Sequence, residues 1–283
     1  MTEQNFSLLF RLFLKKISLY AQQILCYNIL SEKGGFHVLK NSEKLEPLGN
    51  GIQIIVSDEH KFWTDTVLLA NFAKPKKSDI ACDLGTGCGA IPLIWCRNAP
   101  PRSITAVEIQ ENACDMLQRS ISLNNIQNIQ VINSDLRELD GKVPFSSYNL
   151  VVCNPPYKAE GTGIVNPNDA HKIARHEFSC TMEEIIHTAS RLLNFSGRLC
   201  MCQRPERLSD VITDMRKFGI EPKRLRFVQQ RPSKPPKLFL IEGRRGGNPN
   251  GLIVEPVLFI EKDGGDFSDE MIQIYGAYKE GYL

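Results

Sequence analysis

With 283 residues, 42% of them hydrophobic, the chain is long enough to bury a sizeable core and too short for two large domains, so one main domain with additions is expected. Lys and Arg number 34 against 32 Asp and Glu, which excludes nucleic-acid binding through bulk charge and leaves it to a local basic patch. The nine cysteines form no C-x-x-C pair and most lie in apolar runs, which argues against a disulfide framework or zinc site and for reduced thiols in a cytoplasmic protein.

In chain order, residues 1–42 form a leader. Its apolar stretch "NFSLLFRLFLKKISLYAQQILCYNIL" is interrupted by Arg11, Lys15 and Lys16 before any run reaches bilayer length, so no membrane span is expected. It reads as an amphipathic helix or a poorly ordered segment. Residues 43–75 follow as a hairpin and a helix. "EKLEPLGNGIQIIVSD" places two extended runs around the turn signal Gly49-Asn50-Gly51. "WTDTVLLANFA" carries apolar residues at helical spacing behind a Thr64/Asp65 start signal.

Residues 76–283 make the main domain. Short β-rich runs alternate with helical ones: "SDIACDLG", "AIPLIWCRN", "SITAVEI", "QENACDMLQRSISLNN", "IQVINSD", "YNLVVCNPP", "TMEEIIHTASRLLN", "GRLCMCQ" and "ERLSDVITDMRKFG". This alternation predicts an α/β fold, a mostly parallel sheet with helices on both faces and ligands beyond the C-terminal strand ends. "PKRLRFVQQ", "PKLFLIEG" and "EPVLFIEK" then follow with no helical pattern between them, predicting an antiparallel edge.

The motif "CDLGTGCGA" sets Gly85, Gly87 and Gly89 between a strand and a helix, where glycines permit a sharp turn and close approach of a ligand to the backbone. The G-x-G-x-G spacing differs from the dinucleotide form. Asp83 precedes it, Glu108 ends the next strand where a carboxylate can accept from two ribose hydroxyls, and Asp135 ends the third. Helix and turn capping is the bland reading of such acids. Together these residues resemble the class I S-adenosylmethionine-dependent methyltransferases. The resemblance implies a Rossmann-like, seven-stranded sheet with an antiparallel last strand and S-adenosylmethionine as cofactor. It also implies that Glu108 holds the ribose, that Asp135 lies by the adenine and that the loop backbone holds the methionine moiety. Thr64, Asp65 and Asn154 join the expected cofactor-binding set. A nicotinamide dehydrogenase is the competing use of this topology.

"NPPY" at the fourth strand end separates the two. The Asn154 side-chain oxygen and the Pro155 carbonyl can each accept an N–H from a planar NH2 group, turning its lone pair toward the methyl donor. Pro155 and Pro156 stiffen the backbone, and Tyr157 can stack on a base drawn out of its surroundings. These four are the expected catalytic group. The motif is shared by enzymes acting on adenine N6, guanine N2 and protein glutamine. "ARHE" (Ala174 to Glu177), "LGNGIQIIVSDEHKFWTDTVLLANFA" and "KPPKLFLIEGRRGG" resemble the bacterial tRNA1(Val) adenine N6-methyltransferases. That resemblance covers most of the chain from about Glu43 and implies methylation of the adenosine at position 37, beside the anticodon of a valine tRNA. Taken alone, His176 reads as a helix-start or structural histidine, and Arg175 and Glu177 receive no role. The alternatives are a protein glutamine methyltransferase and a non-catalytic RNA-binding protein. No metal is expected. In "PKRLRFVQQRPSKPPKLFLIEGRRGG", Lys223, Arg224, Arg226, Arg231, Lys234, Lys237, Arg244 and Arg245 have almost no acidic neighbours in sequence. Arg231, Lys234, Lys237, Arg244 and Arg245 are the expected RNA contacts. A solvated edge that discourages strand pairing is the bland reading of the same charges.

Overall fold

Asn50 and Gly51 both adopt positive φ, 50° and 78°, which closes a tight turn between strands β1 (Glu43–Gly49) and β2 (Ile52–Ser57). The structure is a computed structural model and describes residues 39–40, 42–97, 100–155 and 180–276. The leader of residues 1–42 therefore lies almost wholly outside the described residues, as do Pro156, Tyr157, Arg175, His176 and Glu177.

Helix α1 (Thr64–Ala73) follows the hairpin, with Trp63 at its N-cap position and no side-chain cap. Then come β3 (Ile80–Leu84), α2 (Ala90–Trp95), β4 (Ser103–Glu108), α3 (Glu111–Leu123), β5 (Ile129–Asn133) and β6 (Tyr148–Cys153). Helix α4 (Met182–Leu192) starts with the reciprocal capping box of Thr181 and Glu184 and leads into β7 (Leu193–Gln203). After α5 (Leu208–Lys217) come β8 (Ile220–Gln229), β9 (Pro236–Arg245), the two-residue strands β10 (Ile253–Val254) and β11 (Leu258–Phe259), and α6 (Asp269–Tyr275).

The main sheet runs β10-β8-β9-β7-β6-β3-β4-β5, and β11 also pairs with β8. Strands β3 to β7 are parallel to one another, and β9 is antiparallel to both β7 and β8. Its seven long strands carry the Rossmann-like arrangement that the resemblance implied, and β10 and β11 extend it. One expectation needs correction. The antiparallel strand is not at the edge but between β7 and β8, because its centre, Phe239 to Ile241, is apolar on both faces and is fully buried. Helix α6 was not anticipated. It spans seven residues, too few for a 3.6-residue period to stand out.

Helices α4 and α5 bury Ile185, Ile186, Ala189, Val211 and Met215 against the sheet residues Leu84, Val151, Leu199 and Ile241. The opposite face carries α1, α2 and α3, with the hairpin laid on α3. There the Ile55 N–H donates to Ser120 Oγ at 3.0 Å and the Gln53 N–H to Asn124 Oδ1 at 2.9 Å, so helix side chains satisfy donors of β2 that no strand meets. Among the described residues no helix is long and apolar enough to cross a membrane.

Candidate methyl-transfer site

All parallel strands end on one side of the sheet, and most of the expected site residues that the structure describes gather there. The loop after β3 is tied to β4 by the N–H groups of Gly85 and Thr86, which donate to the Val107 carbonyl at 2.9 and 3.0 Å. Gly85 and Gly87 have φ of 72° and 58°, and a Cβ on either would meet nothing within 4 Å. The loop backbone thus faces open space in a conformation that only glycine adopts readily. Gly89 differs. Its missing Cβ makes room for the Leu117 side chain of α3, so close packing at the start of α2 also requires a glycine there.

Glu108 ends β4 almost fully buried, with Oε2 accepting from the Gly87 N–H at 2.8 Å and Oε1 from the Gln110 N–H at 3.0 Å. One carboxylate therefore fixes both the glycine loop and the entry to α3. Asp83 is more deeply buried. Burial pushes its carboxyl up to about 7, against the pull of the Thr86 hydroxyl, which donates to it at 2.6 Å, and with added repulsion from Glu108. Asp135 was expected to offer acceptors to an adenine. Instead both its oxygens are engaged by the Arg137 guanidinium, Nη2 to Oδ2 at 2.6 Å, and its Oδ1 also accepts from the Arg137 N–H at 2.8 Å. The same guanidinium holds the Asp135 carboxyl below its ordinary value.

At the end of β6, Asn154 Nδ2 donates to Asp65 Oδ2 at 3.3 Å and to Thr66 Oγ1 at 3.1 Å. A carboxylate offers only acceptors, so the NH2 end of the Asn154 amide must face Asp65. Asp65 was expected against the cofactor. Here it orients Asn154 across 89 residues of sequence, and no local pattern marks either that pairing or Thr66. The Thr64 hydroxyl shares a 2.9 Å bond with Tyr275 Oη, tying α1 to α6 rather than capping its own helix. Pro155 is buried at the strand end.

The cationic stretch divides in two. Gln229 pairs with Pro236, and Phe239 with Gln203 at the end of β7, so the β8–β9 loop bearing Arg231 and Lys234, and Lys237 at the start of β9, share the glycine-loop edge. The β9 and β8 ends of that loop lie two and three strand spacings from β6, about 10 and 14 Å. Arg244 pairs with Arg198, whose β6 partner is Leu150, on the side away from the strand ends. Arg245 donates from Nη1 to the Phe218 carbonyl at 3.1 Å. Arg244 and Arg245 are therefore removed from the expected RNA surface. The stretch is also better compensated than its sequence implied. Arg226 makes a two-pronged pair with Glu270 at 2.6 and 2.7 Å, Arg231 meets Glu261 at 2.6 Å, and Arg224 lies 3.0 Å from Glu255 and 3.5 Å from Glu242. Lys234 and Lys237 are left exposed at the site edge. Among the described residues no group of His, Cys, Asp or Glu could hold a metal ion.

The sequence matches the methyltransferase small domain family over residues 62–217. It is 29% identical over 185 residues to the tRNA1(Val) (adenine(37)-N6)-methyltransferase of Parabacteroides distasonis, a match covering 64% of this chain and 76% of that protein. Its identity to the protein of the same name from Bacteroides fragilis is 30% over 183 residues, with the same coverage of both. Among solved structures, a predicted O-methyltransferase from Agrobacterium tumefaciens superposes with a TM-score of 0.61 at 19% identity, covering 76% of this chain and 97% of that one. M. jannaschii TYW2 in complex with AdoMet superposes with a TM-score of 0.53 at 12% identity, covering 73% and 87%.

Proposed function

The chain belongs to the methyltransferase small domain family, and from that premise we propose that it methylates the N6 amino group of adenine in tRNA, with S-adenosylmethionine as the methyl donor. The substrate reading extends to the adenosine at position 37 of a valine tRNA, in the cytoplasm.

The residues at the strand ends fit that cofactor. Gly85 and Gly87 leave the backbone open to close approach, and Glu108 stands where a ribose would meet a buried carboxylate. Asp83 supplies a further buried carboxyl close by. When bound, S-adenosylmethionine supplies a methyl group on a positively charged sulfur, an electrophile that needs only a correctly aimed nucleophile.

The chain's task is to aim an N6 lone pair that the purine ring delocalises. Asp65 and Thr66 hold the NH2 end of Asn154, which leaves the acceptor oxygen as the opposite end of the amide. In this reading that oxygen accepts one N–H of the adenine amino group and the Pro155 carbonyl accepts the other, directing the lone pair at the methyl carbon. Pro155 keeps its carbonyl in place because its ring fixes φ. Exposed Lys234 and Lys237 contribute phosphate contacts at the same edge.

The orientation of the Asn154 amide carries this reading. Its test is incubation with labelled S-adenosylmethionine and an unmodified valine tRNA transcript, followed by nuclease digestion and mass spectrometry. The expected product is N6-methyladenosine beside the anticodon. Asn154→Ala should abolish turnover while cofactor affinity by calorimetry stays near wild type. Label entering a peptide release factor and not tRNA would overturn the substrate assignment.

A further inference from the structure

Among the described residues most large apolar side chains are buried, and Trp63 is an exception at 64% exposure. Its backbone is nevertheless fixed, because its carbonyl accepts from the N–H groups of Thr66 at 3.1 Å and Val67 at 3.4 Å as the first turn of α1 closes. The ring is therefore presented to solvent from a rigid base. Lys61 Nζ lies over that ring, 5.3 Å from its centroid, so a cation is already stationed beside the flat face.

The position of Trp63 gives this exposure a meaning. It stands two residues before Asp65, which bonds Asn154, so its Cα lies within about 8 Å of Asp65's along the chain. An aromatic face with an adjacent ammonium is the chemistry that binds an unstacked nucleobase and its phosphate, since every base has a π-face and every linkage a charge. A tRNA adenine cannot reach the Asn154 amide while stacked in its loop, and extruding it leaves a neighbouring base without one stacking partner.

We propose that Trp63 is a positioning residue that stacks on the loop base next to the target adenine, with Lys61 contacting the phosphate between them. This rests on the tRNA reading above. The indole replaces the stacking lost when the adenine leaves the loop, which lowers the cost of extrusion.

The test uses the full chain with S-adenosylhomocysteine and an unmodified anticodon stem-loop RNA. The protein has two tryptophans, and Trp95 is buried with its indole N–H donated to the Ala70 carbonyl at 2.9 Å. Iodide-quenchable emission therefore reports Trp63. Adding the stem-loop should quench that emission, while a fully paired duplex of equal length should not. Trp63→Ala should raise the RNA Kd and KM by about 5- to 150-fold, the range of one base–aromatic stack, with cofactor affinity, melting temperature and Trp95 emission unchanged. Trp63→Phe should recover most of that loss. Wild-type methylation of tRNA is the control for the underlying reading. With that control in place, an unquenched Trp63, or Trp63→Ala with wild-type KM, would overturn the stacking role.

Discussion

Asn154→Asp tests the catalytic geometry at its most specific point. The substitution keeps an acceptor toward the substrate but turns a carboxylate toward Asp65, where Asn154 Nδ2 now donates at 3.3 Å. Two like charges at that separation repel by about 5 kcal/mol at an effective dielectric of 20. Side-chain movement and water will absorb part of this. Even a 2 kcal/mol displacement from the productive pose lowers the rate about 30-fold. In single-turnover assays at pH 8, Asn154→Asp should therefore lose at least that much, with cofactor Kd measured separately. Lowering the pH should restore part of the rate, because the carboxylate pair shares a proton and its upper pKa is raised. Adding Asp65→Asn should bring the rate back to within about tenfold of wild type, since donor and acceptor then only exchange places. Either a fully active Asn154→Asp at pH 8 or a double variant no better than the single one would refute the reasoning.

Three further outcomes concern the buried Asp83 carboxyl and the exposed cations. Burial raises the Asp83 carboxyl from 3.8 to about 7, so between those values the folded protein holds a proton that the unfolded chain releases. Stability should consequently fall as pH rises from about 5 to 8, and Asp83→Asn should remove that component when urea midpoints are compared at the two pH values. Equal pH slopes in wild type and variant would remove Asp83 as the cause. Affinity for the cationic cofactor should move the opposite way, strengthening through pH 7 as the carboxylate forms. Lys234→Ala with Lys237→Ala should weaken tRNA binding and reduce the log–log salt slope by about 0.7 to 0.9 for each lost contact, whereas Arg244→Ala with Arg245→Ala should leave both unchanged. A larger effect from the arginine pair would show that the RNA lies across the other edge of the sheet.

Much of the frame was legible because it depends on local rules. Asn50-Gly51 announces a tight hairpin since both residues tolerate positive φ, and Gly85 and Gly87 announce a sharply turned loop with an open backbone for the same reason. The alternation of strand and helix periods implied the parallel sheet, and a parallel sheet places Glu108 and Asn154 on one edge whatever lies between them. The NPPY motif pointed to an acceptor aimed at a planar NH2 group, and the resemblance narrowed that to adenine in tRNA.

What the chain order hides is which charges meet. Arg226 and Glu270 are 44 residues apart, and Arg231 and Glu261 are 30 apart, so a stretch that reads as uncompensated cations is partly neutralised once β10, β11 and α6 fold back beside β8. Gly89 shares a motif with Gly85 and Gly87 but faces Leu117 instead of open space. The reversal of β9 carries Arg244 and Arg245 away from the site while leaving Lys234 and Lys237 at it. Asp65 stood in the expected cofactor-binding set, and its bond to Asn154, at a strand end 89 residues on, has no local signature. Turn propensity and hydrophobic period act over a few residues and so are written locally. The pairing of a carboxylate with an amide, or a guanidinium with a glutamate, depends on distances that exist only after the sheet has set its strand order and direction.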